Sequence, residues 1–280
     1  MESRNTPSAV LKVFKRTQVV IGVVHCPPFP GTPRHDGRPP AELYDAALRD
    51  AEAYAEGGVD GLIVENHGDI PFLRPQDIGP ETAAFMTATT ERIIRRVGLP
   101  TGVNILANAP VPALAVARAS GADFIRVNQW ANAYVSNEGL LNGEAAQALR
   151  YRQTIGAEDV AIFADSHVKH GAHAITADRS ITELTRDLEF FDADGVIATG
   201  QRTGDAVTDS ELATIAGATT LPVLVGSGVT TENAERILAG CQGVIIGSAL
   251  KQEGVWWNPV SLDRVHEFMG AVARVREARS

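Results

Sequence analysis

The chain has 280 residues, 44% hydrophobic and 21% charged, with a formal net charge of −9. Such a composition suits a globular protein of one large or two small domains. The acidic balance argues against nucleic-acid or anionic-membrane partners, which call for basic patches.

Residues 1–18 are an N-terminal extension, MESRNTPSAVLKVFKRTQ, with no apolar core of signal-peptide length. No run anywhere approaches the ~20 apolar residues of a membrane helix, and the two cysteines, Cys26 and Cys241, are too few for a disulfide framework or a Cys-rich zinc site. A cytoplasmic protein without a membrane partner is expected.

From residue 19 onward, short apolar runs recur at 19–26, 61–66, 100–107, 123–130, 159–167, 195–200, 222–229 and 243–251. Most are nearly continuous in Val, Ile, Leu and Gly, which suits parallel strands buried on both faces. Helical segments lie between and after them, at 40–58, 80–98, 109–121, 141–156, 180–192, 209–217, 231–240 and 261–278. In the first, Leu43, Ala47 and Ala51 share a face and Gly57–Gly58 is a stop signal. Ser180, Asp209, Thr231 and Ser261 are the expected N-caps.

Eight strand–helix units over about 250 residues predict an α/β fold, a single-domain (β/α)8 TIM barrel over 19–280. The competing open doubly wound sheet usually shows a Gly-rich fingerprint after its first strand. Here that position reads HCPPFPGTPRHDGRPP.

Barrel active sites gather at the C-terminal ends of the strands. Those ends carry His25, Glu65 with Asn66, Asn104, Arg126 with Asn128, Asp165 with His167, and Thr199. The last two strands run into VGSGVTTENA and VIIGSALK, whose small residues let backbone approach an anion. Amides near Gly226, Ser227, Gly228, Gly247 and Ser248 are expected to hold a phosphate, at the two adjacent strands where barrels place one.

The segments HCPPFPGTP (25–33), DGLIVENHGDIPF (60–72), IFADSHVKHGAH (162–173), VLVGSGVTTENA (223–234) and GVIIGSALKQEG (243–254) together resemble the BtpA/SgcQ family. Its distinctive elements are EN-x-GD-x-PF and AD-x-H-x-KH. The resemblance implies a phosphate-binding-type barrel, with members linked to photosystem I biogenesis or found in sugar-catabolic settings. Two departures fall at the expected active face. Ala109 stands where an aspartate is expected, and VNQWANAY (127–134) replaces a smaller segment. Trp130 and Tyr134 are expected to add bulk there, suiting a different substrate.

Among the candidates, Glu65, Asp165 and His167 form the favoured acid/base set, with His25 and Lys169 as further catalytic groups. Asn66, Asn104, Arg126, Asn128, His170, Thr199 and Gln201 are read as substrate-binding, Arg126 as a bidentate clamp. A divalent cation, Mg²⁺ or Zn²⁺, is one option at Glu65, Asp165 and His167; no cofactor is otherwise required. His173 is read as loop. The function expected is isomerase, epimerase or lyase chemistry on a phosphorylated small molecule, a sugar phosphate or nucleotide-like compound. The alternatives are a non-catalytic assembly or biogenesis factor, and glycosidase-type cleavage by Glu65 and Asp165 as paired carboxylates. Helix faces rich in Ala and Leu suit a homo-oligomer.

Overall fold

The computed structural model describes residues 8–168, 171–200 and 206–278. Eight parallel strands close into a barrel: β1 (Val19–His25), β2 (Gly61–Glu65), β3 (Thr101–Asn104), β4 (Phe124–Val127), and, beyond a two-stranded hairpin of β5 (Ala133–Ser136) and β6 (Gly139–Asn142), β7 (Ala161–Asp165), β8 (Gly195–Thr199), β9 (Val223–Gly226) and β10 (Gly243–Ile246). Strand β10 pairs with β1 to complete the ring. The helices are α1 (Ala9–Phe14), α2 (Pro40–Glu56), α3 (Pro80–Val97), α4 (Pro110–Ser120), α5 (Ala145–Thr154), α6 (Ile181–Phe190), α7 (Asp209–Ala218), α8 (Ala234–Ala239) and α9 (Leu262–Glu277). No described helix is long and apolar enough to cross a membrane.

Two apolar clusters explain why the strand sequences are continuously hydrophobic. Successive residues of a strand face opposite sides. On β1, Val20 and Val24 pack outward with Leu43, Ala47 and Ala51 of α2, while Val19, Ile21 and Val23 pack inward. The inner cluster includes Phe124 and Phe163, whose rings meet edge to face at 5.3 Å. Gly102 and Gly195 make room for them: a Cβ on either would lie 2.2 Å or 2.4 Å from the facing phenylalanine ring.

Part of the N-terminal extension belongs to this inner core. Helix α1, capped by Ser8, inserts Val10 and Phe14 among the inward residues, and Phe14 sits 5.6 Å from Phe124. A Cβ on Gly61, the first residue of β2, would strike the Phe14 ring at 2.5 Å. The helix therefore stoppers the N-terminal end of the barrel.

Ser180 and Ser261 cap α6 and α9 as expected, accepting from the amides of Glu183 and Arg264. The cap of α7 is Thr208, one residue before the expected Asp209. Helix α8 begins at Ala234 rather than near Thr231, because the Asn233 side chain ties back to the Thr230 amide and the Gly228 carbonyl. The expected helix at 141–156 begins only at Ala145, since Leu141 and Asn142 pair with Tyr134 and Ala133 in the hairpin.

Replacing Phe14 by alanine removes a buried ring from the stopper. We expect a loss of about 3–5 kcal/mol in unfolding free energy, read as a lower denaturant midpoint with the far-ultraviolet spectrum of the folded state unchanged.

Candidate active site

Parallel register sets the site. His25 pairs with Glu65 across β1 and β2, and Glu65 with Asn104 across β2 and β3. The inward parity that fills the barrel with Ile63 and Phe124 continues to Glu65 and Arg126, two residues further along β2 and β4. Above the apolar layer the interior thus turns polar and opens into a cavity of about 520 Å³, walled by His25, Glu65, His67, Arg126 and Asn128 on one side.

Glu65 is 5% exposed. Asn104 donates to its Oε2 at 2.7 Å, and the Nδ1 of His67 lies 2.9 Å from its Oε1. Burial alone would raise its pKa. The hydrogen bond from His67 and the electrostatic influence of His67, His25 and Arg126 outweigh that, and hold the carboxyl well below its usual range. His25 has Nδ1 3.2 Å from the Trp256 carbonyl oxygen and Nε2 4.0 Å from Glu65. Burial lowers its pKa from 6.5 to about 3, against a smaller raising effect of Glu65.

Arg126 and Asp165 form a bidentate ion pair inside the barrel, with Nε–Oδ1 3.0 Å and Nη2–Oδ2 2.9 Å; the Asp165 side chain is 0% exposed. Asn128 Nδ2 adds a contact at 3.3 Å, while its Oδ1 is buried without a hydrogen-bond partner among the described residues. With both oxygens engaged, Asp165 faces Arg126 and Asn128, and the cavity wall is formed by those two residues.

The opposite wall is formed by the turns after β9 and β10, where the sequence places its candidate phosphate-binding residues. Ser227, Gly228, Val229, Thr230, Gly247 and Ser248 line the cavity. The amides of Gly228, Val229, Ser248 and Ala249 make no hydrogen bond among the described residues. Ser227 and Gly228 adopt positive φ, 101° and 65°, in the turn that follows β9. Gly247 lies against His25, since a Cβ there would come within 3.0 Å of the imidazole. Gly226 ends β9 below the cavity, beside Arg126.

The cation trio expected from the sequence, Glu65, Asp165 and His167, is not assembled. Strand β7 ends at Asp165, so alternation does not carry His167 inward. Its ring stacks on His173 at 3.9 Å, and His173 stacks on Tyr134 at 5.5 Å. Burial, then the neighbouring His173, lowers the pKa of His167 to about 4. Among the described residues, the His, Cys, Asp and Glu ligand atoms that do converge, within 4.8 Å, belong to His25, Glu65 and His67.

Asn66 serves the loops: it accepts from the Leu106 amide at 2.8 Å and donates to Asp69 at 3.1 Å. Asp69 in turn accepts from the Phe29 amide at 2.8 Å. A Cβ on Gly68 would be 2.6 Å from the Cys26 carbonyl. The ENHGD sequence thus clamps the loops after β1, β2 and β3 together. Thr199 donates to the His167 carbonyl at 2.7 Å. Lys169, His170 and Gln201 lie outside the described residues.

Several cavity residues escaped the sequence reading. His67 occupies the unspecified position of EN-x-GD, past the end of β2, where only its spacing of two from Glu65 was a signal. Trp256 packs its ring 4.4 Å from that of His67. Glu138, with Ser136, lines the cavity from the hairpin. Of the two bulky residues expected at the mouth, only Tyr134 lines it. Trp130 is fully buried in the outer core, with its indole N–H bonded to the Phe191 carbonyl.

The barrel resembles several solved enzymes. Thiamine phosphate pyrophosphorylase from Pyrococcus furiosus superposes with a TM-score of 0.57 at 16% identity, covering 95% of this chain and 98% of that one. Tryptophan synthase from Mycobacterium tuberculosis gives 0.60 at 18%, covering 96% and 98%. At these identities the likeness is one of fold. In sequence, an uncharacterised Archaeoglobus fulgidus protein is 42% identical over 91% of this chain and 98% of its own. A Caenorhabditis elegans protein named as mitochondrial is 38% identical, over 90% and 91%. The photosystem I biogenesis protein BtpA of Synechocystis is 39% identical over 94% of this chain and 91% of its own. The BtpA family model matches residues 16–274, and the chain belongs to the BtpA family.

Proposed function

We propose that this protein is an enzyme acting on a phosphorylated small molecule, with the phosphate against the 227–230 and 247–249 turns and the reacting atoms against His25, Glu65 and His67. One observation carries the reading: two turns whose Gly228, Val229, Ser248 and Ala249 amides make no hydrogen bond among the described residues, and an imidazole–carboxylate–imidazole group centred on the buried Glu65, line the same cavity of about 520 Å³. That volume suits a ligand the size of a sugar phosphate or nucleotide. The structural relatives named for phosphate-bearing compounds, thiamine phosphate pyrophosphorylase and phosphoribosylanthranilate isomerase, support it as well.

The chemistry that fits is proton transfer in an isomerase, epimerase or lyase. His25 is held neutral by burial and can accept or relay a proton, and Glu65 is held ionised beside it. Asp165 acts by positioning Arg126, whose guanidinium lines the cavity as an anion or carbonyl clamp. The paired-carboxylate mechanism is less well supported, because both oxygens of Asp165 are engaged by Arg126 and Asn128. The name of the Synechocystis relative favours a second reading, a biogenesis factor that uses the cavity to bind a ligand without turnover.

Thermal unfolding across a panel of sugar phosphates, nucleotides and inorganic phosphate tests the proposal. At least one phosphorylated compound is expected to raise the melting temperature, and Ser248→Asp, which sets a negative charge in the 247–249 turn, is expected to abolish the rise. No stabilisation by any of them counts against a phosphate site. For the stabilising compound, conversion followed by NMR separates enzyme from binding factor.

Two substitutions divide the roles. Glu65→Gln is expected to lower turnover by about 100-fold or more while stabilisation by the ligand persists. Asp165→Asn leaves Arg126 buried without its charge partner and is expected to cost about 3–5 kcal/mol of stability. It should also raise KM more than it lowers kcat.

A further inference from the structure

We propose that His25, Glu65 and His67 bind a divalent transition metal ion of the zinc class at the mouth of the barrel. Their ligand atoms lie within 4.8 Å of one another, and among the described residues no other group of three His, Cys, Asp or Glu side chains does so.

The orientation of His25 is that of a metal ligand. Its Nδ1 lies 3.2 Å from the Trp256 carbonyl oxygen. A carbonyl only accepts, so Nδ1 carries the proton and Nε2 presents its lone pair. Metal-binding histidines are held in this way, with the far nitrogen donating to a carbonyl or carboxylate. Nε2 faces Glu65 Oε1 at 4.0 Å. That is too long for a hydrogen bond, but within reach of the roughly 3.3 Å separating two ligands on a tetrahedral ion with bonds of about 2.0–2.2 Å. Asn104 steadies the other carboxylate oxygen at 2.7 Å, which leaves Oε1 for the ion. His67 meets the same Oε1 at 2.9 Å through Nδ1 and would exchange that hydrogen bond for a bond to the metal.

Charge balance points the same way. Arg126 is bound on both sides by Asp165, and the buried Lys251 pairs with Asp50. Among the described residues, the ion pairs of Glu65 run to the two imidazoles alone. A divalent ion bound at Oε1 would give this buried carboxylate a full positive partner. Two imidazole nitrogens with one carboxylate oxygen suit zinc, cobalt or iron(II) better than magnesium or calcium, which favour all-oxygen shells. Three protein ligands leave positions open to the cavity, the format of a catalytic rather than a structural ion. Water or an oxygen of the bound small molecule would complete the shell. The inference does not rest on the substrate being phosphorylated.

The test uses tag-free, full-length protein, stripped with a chelator and titrated with Co²⁺, Zn²⁺ and Mg²⁺ in phosphate-free buffer. We expect one equivalent of Co²⁺ to bind with visible d–d bands, Zn²⁺ to bleach them, and Mg²⁺ at the same concentrations to leave them unchanged. Glu65→Gln and His67→Phe are each expected to weaken Co²⁺ binding by about 100-fold or more. His67→Phe keeps a ring against Trp256 and Phe72, and an unchanged melting temperature of the metal-free variant shows that the fold is intact. X-ray absorption of the zinc-loaded protein is expected to show two imidazoles. No stoichiometric uptake, undiminished uptake by both variants, or a spectrum without imidazole scattering would overturn the site. The same stripped protein is melted with the panel of sugar phosphates, nucleotides and inorganic phosphate. Phosphate stabilisation without metal uptake removes the metal site only, and metal uptake without phosphate stabilisation removes the substrate reading only.

Discussion

The ion pair between Arg126 and Asp165 sits where the apolar filling of the barrel ends and its polar mouth begins. Two charges taken out of water must satisfy each other, because the cost of leaving either alone is several kcal/mol. Asp165 meets this demand with both oxygens, and the pair spans adjacent strands β4 and β7. Its completeness determines what the neighbouring strands are left with. Glu65, on β2, has an amide and two imidazoles as its close partners.

The fold was legible because barrel strands are buried on both faces, so the runs of Val, Ile and Gly in the chain are long and unmistakable. The positions of Glu65, Asn104 and Arg126 were legible for the same reason: strand ends define the mouth. What periodicity could not supply was the pairing across the interior. Nothing in residues 123–130 or 159–167 tells whether Asp165 meets a substrate or Arg126. Alternation also fails once a strand stops, which is why His167 turned away and His67, in a loop, was passed over. The hairpin at 133–142 was hidden because, among the described residues, its eight strand residues pair with each other and with Ala172, outside the barrel.

The relatives from an archaeon, a nematode and a cyanobacterium described above share 38–42% identity with this chain over 90–94% of its length. Such breadth fits a barrel whose mouth is clamped by loop-to-loop bonds of Asn66 and Asp69 rather than by the side chains that face the cavity. The clamp fixes the rim, and the cavity wall can change without loosening it. From the hairpin, Tyr134, Ser136 and Glu138 reach the cavity, while Trp130 beside it anchors the base to the outer core.

The stopper of Val10 and Phe14 makes the barrel a cup with one opening. Whatever enters past the Trp256 and Tyr134 rim must leave by the same route, so entry and departure cannot overlap in time. On the proposed function, a departing molecule that keeps its phosphate would still fit the turns it is leaving, and turnover would be coupled to how weakly those turns hold the anion; a tighter grip on the incoming molecule would slow the clearing of the outgoing one.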